Sequence, residues 1–408
     1  MKNFAQRTAA LALVFSTVGV LAACSQTPAG SESTEPISIG VVGPQTGPLA
    51  EIGENQVAGA EVAIEQINAA GGILGRQVKL ANADEQTTPE TSTAAVRNLS
   101  NSGVNLIVGM LSSAGCLALA PQLASMDVAL VGTGCTNDGL TGQNGEAAPY
   151  PNFFRTSNND SALIGPLAQT IAEKFPEATD YSAFGYDYVT GTTQWSLFQG
   201  DLQDDGVDLN VQSETFVPIG EQNFGLQVQQ LVNGATDPEK SALYLGTFSS
   251  GTGSFLQQAA SYDLSSKFAV IVNPGGYYPI ARTLNGLAPN VWNSYDYNYA
   301  AFDNDENTQF VDDFKAKTGK MPVDWSYDAY VGVLAMKAAI EKAGTTDTAA
   351  ILEALAGLKF NTPGGELTMD ATTHQANPPV VITNTVGDTS AEEGVKVLET
   401  VVVPRDED

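Results

Sequence analysis

The sequence predicts an α/β protein of two doubly wound, Rossmann-like lobes on mostly parallel sheets. Three observations carry that prediction. Short β-branched apolar runs alternate with stretches of helical apolar spacing, the pattern of parallel strands covered on both faces by helices. The alternation occurs twice, once before and once after Phe153-Phe154-Arg155-Thr156. The chain has 408 residues, enough for two cores.

Taken in order, Ile37–Val42 reads as a buried strand, turning at Gly43-Pro44-Gln45-Thr46-Gly47-Pro48. Glu54–Ala69 repeats Val57, Ala60, Ile64 and Ile67 at helical spacing and stops at Gly71-Gly72. Val78–Ala83 is the next strand and Pro89–Ser100 the next helix. In Leu106–Thr141 a short strand, Leu106–Val108, leads through Ser112-Ser113, placed as helix caps, to a helix and a second strand at Ala129–Val131. The loop Gly132-Thr133-Gly134-Cys135-Thr136-Asn137 follows. Two loops rich in hydroxyls and glycine therefore leave the carboxyl ends of neighbouring strands, the place where open α/β sheets bind ligands. Free N–H groups and hydroxyls there suit a carboxylate or another compact anion. Ordinary capped βα turns would look the same in this segment alone.

The second run comprises helix Ser161–Phe175, strand Tyr181–Phe184, helix Thr192–Asp204, strand Leu209–Thr215, helix Phe224–Val232, strand Ala242–Leu245, helix Ser254–Tyr262 and strand Phe268–Val272. Asn293–Phe302, rich in tyrosine and polar residues, breaks the pattern. Helices are expected at Asn307–Lys317, Ser326–Ala343 and Thr346–Leu358, then strands at Val380–Thr385 and Val395–Val403.

The amino terminus predicts export. Lys2 and Arg7 precede an uncharged apolar run, Ala9–Ala23, too short to span a bilayer and ending Leu21-Ala22-Ala23-Cys24. Residues 1–23 read as a signal peptide. The Leu-Ala-Ala-Cys ending resembles a bacterial lipobox, which implies lipidation at Cys24 and a flexible tether over 24–36. An extracytoplasmic protein, lipid-anchored to the outer face of the bacterial cell membrane, is expected. The chain carries 46 acidic and 18 basic residues, a net charge of −28. Such a surface repels nucleic acid and anionic lipid. Cys116 and Cys135, past the ends of two neighbouring strands, form either a disulfide or two free buried thiols.

Chemistry-bearing motifs of enzymes are missing. His374 is the single histidine, and there is no Gly-x-Ser-x-Gly elbow, no phosphate loop and no Cys/His cluster with metal spacing. Gly132-x-Gly134 and Gly251-x-Gly253 lack the third glycine of a dinucleotide fingerprint. No enzyme activity, cofactor or metal is expected.

Gly43-Pro44…Thr46-Gly47 with Gly53, Ile67-Asn68-Ala69-Ala70-Gly71-Gly72-Ile73-Leu74-Gly75-Arg76, and Ala83-Asp84-Glu85 before Pro89 resemble the branched-chain amino acid (Leu/Ile/Val) binding proteins. These are type I periplasmic-binding-protein receptors of ABC importers. The resemblance implies a three-crossover hinge near Arg155, Asn293 and Thr372. It divides the chain into lobe 1 (37–155 and 294–372), lobe 2 (156–293 and 373–403) and an acidic tail, 404–408. It also implies a small-molecule solute, held as the lobes close, and ABC permease subunits as partners.

Carried over by position, the family's carboxylate-binding serine matches Ser113, beside Ser112, and its next contacts match Gly134 and Thr136, on either side of Cys135. Phe248 stands where the family often has tyrosine. The acid expected near Pro274-Gly275-Gly276 to meet an α-ammonium is absent. A buried ammonium without a counter-charge costs several kcal/mol, by order of magnitude. Either Asp187 or Asp296 supplies that charge, or the solute is not an α-amino acid but an amide, urea-like or aromatic acid compound. Trp195, Tyr186, Tyr188, Tyr277, Tyr278 and Tyr295 are candidate aromatic walls, of which two or three are expected at the cleft. A sensor lipoprotein of the same fold, signalling to a membrane partner, and a cleftless adhesion protein are the rivals from other classes.

Overall fold

The protein, in a computed structural model, is described over residues 35–143, 145–275, 277–391 and 393–405. The signal segment, Cys24 and the tether up to Thr34 lie outside the described residues. The first run forms β1 (Ile37–Gly43), α1 (Ala50–Ala69), β2 (Val78–Asp84), α2 (Pro89–Asn101), β3 (Leu106–Gly109), α3 (Ser113–Leu119), β4 (Ala129–Gly132) and β5 (Phe153–Arg155). Its strands make one parallel sheet in the order β2-β1-β3-β4-β5. The order reverses at β1, so the loops after β1 and β3 open a crevice at the carboxyl edge. Gly109, at φ 110°, turns the chain out of β3 beside the Val42 carbonyl, where a Cβ would collide.

The second run forms α4 (Asp160–Lys174), β6 (Asp180–Tyr186), α5 (Val189–Asp204), β7 (Asn210–Val217), α6 (Gly225–Gly234), β8 (Ser241–Gly246), α7 (Ser250–Ala259), β9 (Val270–Val272), α8 (Tyr277–Thr283) and β10 (Val291–Tyr295). The chain then returns to the first sheet with α9 (Asp305–Thr318), α10 (Asp324–Ala343), α11 (Thr348–Leu355) and a hairpin, β11 (Lys359–Thr362) and β12 (Gly365–Thr368). It closes with β13 (Val380–Gly387) and β14 (Val395–Val403) on the second sheet, whose order is β14-β13-β10-β9-β8-β6-β7. That sheet is parallel except where β13 pairs antiparallel with β10 and β14.

Each sheet has its own core. Ile39, Val41, Val108 and Val131 of the first are fully buried against Met336, Ala339 and Ile340 of α10. Burial of each such side chain contributes roughly 1.5–3 kcal/mol. Gly59 fixes where α10 begins, because a Cβ there would strike the Ser326 backbone. The Ser326 hydroxyl accepts from the Val323 N–H at 2.9 Å and donates to its carbonyl at 2.6 Å, capping that first turn.

Three local expectations are corrected. Asn293–Tyr295, expected to break the pattern, ends strand β10, where Asn293 Nδ2 donates to the Thr383 carbonyl of β13 at 3.1 Å. A helix, α8, forms at Tyr277–Thr283 because Tyr277, Tyr278 and Ile280 bury against the second core. The β11–β12 hairpin was not expected, since four-residue strands carry little periodic signal.

Candidate functional site

A cleft lies between the carboxyl edges of the two sheets, with about 790 Å³ of empty space including its mouth. Leu49, Ile52 and Leu111, from the loops after β1 and β3, form an apolar wall. Leu163 of α4 and Phe248, after β8, form the facing one. Trp325 joins them from the first turn of α10.

One end of the cleft is the loop after β4. Thr133, Gly134 and Thr136 line it. The N–H groups of Gly134, Cys135 and Thr136 have no partner among the described residues. The Thr133 hydroxyl, 1% exposed, also has none. A disulfide joins Cys116 to Cys135 and so ties this loop to α3. Arg155 lies behind the loop, fully buried. It donates to the carbonyls of Cys135 and Asn137 at 2.8 Å each, to Gln375 Oε1 at 2.6 Å and to Thr141 Oγ1 at 2.6 Å. Burial draws its pKa down to about 10, so it remains a cation at neutral pH. Free N–H groups backed by a buried guanidinium favour a negative group on that loop.

Another part of the wall is acidic. Asp296 follows β10, Asp324 opens α10 and Asp328 lies one turn further along; each is 6% exposed and each lines the cleft. Asp296 accepts from both the backbone N–H and Nδ2 of Asn158. Asp296 and Asp328 are hydrogen-bonded to each other. Burial is the main cause that pushes Asp296 up to about 6 and Asp324 up to about 7. Burial, then the charges of its two neighbours, raises Asp328 well above the carboxylate range. Deeper in the wall Asp160 accepts from Gln194 Nε2 at 2.9 Å, and burial pushes it up to about 6.

Of the residues expected at the site, the structure brings Gly134, Thr136, Phe248 and Asp296 to the cleft wall. Ser112, Ser113 and Cys135 stand just behind it. The Ser112 hydroxyl accepts from Gly115 N at 3.0 Å, capping α3, and donates to the Thr87 carbonyl at 3.0 Å. Tyr188 donates to that hydroxyl across the cleft at 3.1 Å, and Thr190 donates to the Ser113 hydroxyl at 3.2 Å. The two serines therefore join the lobes. Asp187 is exposed and does not line the cleft, so it supplies no charge there.

Among the aromatic candidates Tyr188 and Tyr295 line the wall. Trp195, Tyr186, Tyr277 and Tyr278 are core residues. His374 stacks on Phe154, ring centroids 3.9 Å apart, away from the cleft. Sequence reasoning missed Asp324 and Asp328. Acidic residues in the first turn of a helix are common, and nothing marks these two until α10 is placed.

A family model described as periplasmic binding protein matches residues 36–391. The leucine-, isoleucine-, valine-, threonine- and alanine-binding protein of Pseudomonas aeruginosa is 28% identical over 349 residues, covering 83% of this chain and 87% of that protein. The Leu/Ile/Val-binding protein of Escherichia coli K12 is 25% identical, with 82% and 87% covered. Among solved structures, a Rhodopseudomonas palustris solute-binding protein in complex with benzoate superposes with a TM-score of 0.78 at 16% identity, over 91% of this chain and 98% of that one. The Streptococcus pneumoniae branched-chain amino acid transporter substrate-binding protein LivJ, in complex with isoleucine, gives 0.76 at 22% identity, over 90% and 99%.

Proposed function

Because the chain belongs to the periplasmic binding protein family, the type I solute receptors of ABC transporters, we propose that its solute is an amino acid held by both of its charged groups. In this reading Gly134 and Thr136, backed by Arg155, receive the carboxylate, and Asp296 receives the α-ammonium. The chain is a binding protein of a transporter and not an enzyme. The observation that carries the reading is the placement of Asp296 on the wall of the same cleft as the unpartnered N–H groups. It restores the counter-charge that the residues near Gly275 lack. A benzoate-like acid would leave these buried carboxylates facing an apolar ring, at a desolvation cost of several kcal/mol, by order of magnitude.

The lobes close over the solute, and the closed form is delivered to permease subunits in the membrane. The Ser112–Tyr188 and Ser113–Thr190 contacts support closure. No described helix is long and apolar enough to cross a membrane; a lipid on Cys24 would hold the chain at the outer face.

Thermal unfolding with a panel of α-amino acids, their N-acetyl derivatives and benzoate tests the reading. A cognate amino acid at a hundredfold its Kd should add about 2.7 kcal/mol of stability, and N-acetylation should abolish the effect. Equal stabilisation by the N-acetyl form or by benzoate would overturn it.

A further inference from the structure

Three carboxylates are more than one α-ammonium can balance. Asp324 and Asp328 stand at i and i+4, on one face of α10, and both line the cleft beside Asp296. Asp296 is eased by two donations from Asn158 and by the charge of Arg405. The charges acting on Asp324 and Asp328 are those of neighbouring carboxylates. A hydrogen bond links Asp296 and Asp328, and among the described residues no cation acts on Asp324, which faces the cleft. Burying like charges together costs stability, so such a cluster calls for a cation from the solute.

A second observation also points to a ligand. The Thr133 hydroxyl, 1% exposed, and the Ser157 hydroxyl, 2% exposed, line the same cleft and have no hydrogen-bond partner. Buried polar groups are normally satisfied, so both await one. Among the described residues no group of three or more His, Cys, Asp or Glu is arranged to hold a metal ion, which favours an organic cation over a metal. Leu49, Ile52 and Phe248 flank the route with apolar surface suited to a methylene stem. The net charge of −28 draws cations toward the mouth.

We propose that the cleft takes an α-amino acid whose side chain ends in an ammonium or guanidinium group, and that Asp324 and Asp328 receive this second cationic centre. The inference rests on the amino-acid reading above and narrows it.

Calorimetric titration of the full-length protein at pH 8 with lysine, ornithine and arginine, against leucine, isoleucine and valine, tests it. The basic set should bind at least about tenfold more tightly than the aliphatic set. In Asp324→Asn and Asp328→Asn, the ratio of lysine to leucine affinity should fall by on the order of thirtyfold. Unfolding curves identify any variant that fails to fold; the wild-type ratio is independent of them. Tighter or equal binding of leucine overturns this inference and leaves the amino-acid reading standing. An unchanged ratio in folded variants also overturns it. Binding by neither set removes both.

Discussion

Two parts of the cleft wall, a hydroxyl end and an acidic end, are built in different ways. The hydroxyl end is a contiguous loop, Thr133–Asn137, anchored by a disulfide at Cys135 and by a buried guanidinium behind it. The acidic end is assembled from Asp296 at a crossover and from Asp324 and Asp328 on α10. One is held from beneath by fixed donors. The other is a set of like charges held together by the packing of α10, and it is relieved by protons or by a cation. The first should therefore answer to mutations of its support, and the second to pH and to the charge of the solute.

The largest effect tests the support. Arg155→Met removes four donated hydrogen bonds, leaves Gln375 Oε1 and two carbonyls with fewer partners, and takes the counter-charge from buried Asp160. Breaking such a buried charged network costs about 3–5 kcal/mol. Chemical denaturation should show that loss. A stability within about 1 kcal/mol of wild type would mean that the loop holds its shape without the cation, and the contrast between the two ends would fail.

The next effect belongs to the acidic end. A carboxyl whose folded pKa stands above its unfolded value of about 3.9 takes up a proton on folding. The stability it contributes is therefore lost as pH rises through the folded value. Asp296 and Asp160, at about 6, and Asp324 and Glu85, at about 7, all have this sign. Asp84 and Asp370 are lowered and have the opposite sign, but they act below about pH 4; His374, lowered from 6.5 by burial, opposes within the window and is one group against four. The ligand-free protein should accordingly unfold at a higher temperature at pH 5 than at pH 8. Asp324→Asn should flatten that slope and add roughly 1–3 kcal/mol at pH 8. A melting temperature that rises steadily from pH 5 to pH 8 would contradict the charge state assigned to this end.

The same contrast explains what the sequence makes legible. Alternating strands and helices, the Ser112 cap and the loop after β4 are local, and their residue types reveal them. Ser113 is local too, yet its partner Thr190 arrives from the other sheet, so its part in joining the lobes is invisible before folding. Asp296 is legible as a candidate because the absence of an acid near Gly275 creates a demand for charge. Asp324 and Asp328 raise no such demand. They reach Asp296 because α1 packs on α10 at Gly59 and because the chain crosses between the sheets after β10. Asp187 fails for the complementary reason: it follows a strand end at the right edge but is exposed.

The smallest effect is the sharpest test of the hydroxyl end. Thr136→Val keeps the side-chain shape and removes one hydroxyl on the cleft wall, leaving Arg155, the disulfide and the loop N–H groups in place. Stability should stay within about 0.5 kcal/mol of wild type. Solute affinity should fall about three- to tenfold, the net worth of one hydrogen bond among several that hold the same group. If the hydroxyl end receives the carboxylate, the loss should be similar at pH 6 and pH 8, because a carboxylate with a pKa near 4 is ionised at both. A loss that appears only at pH 8 would tie Thr136 to the titrating acids instead, by way of buried Asp160, whose pKa the Thr136 side chain acts to lower. The two ends would then act as one coupled unit, and the carboxylate would have to be placed elsewhere in the cleft.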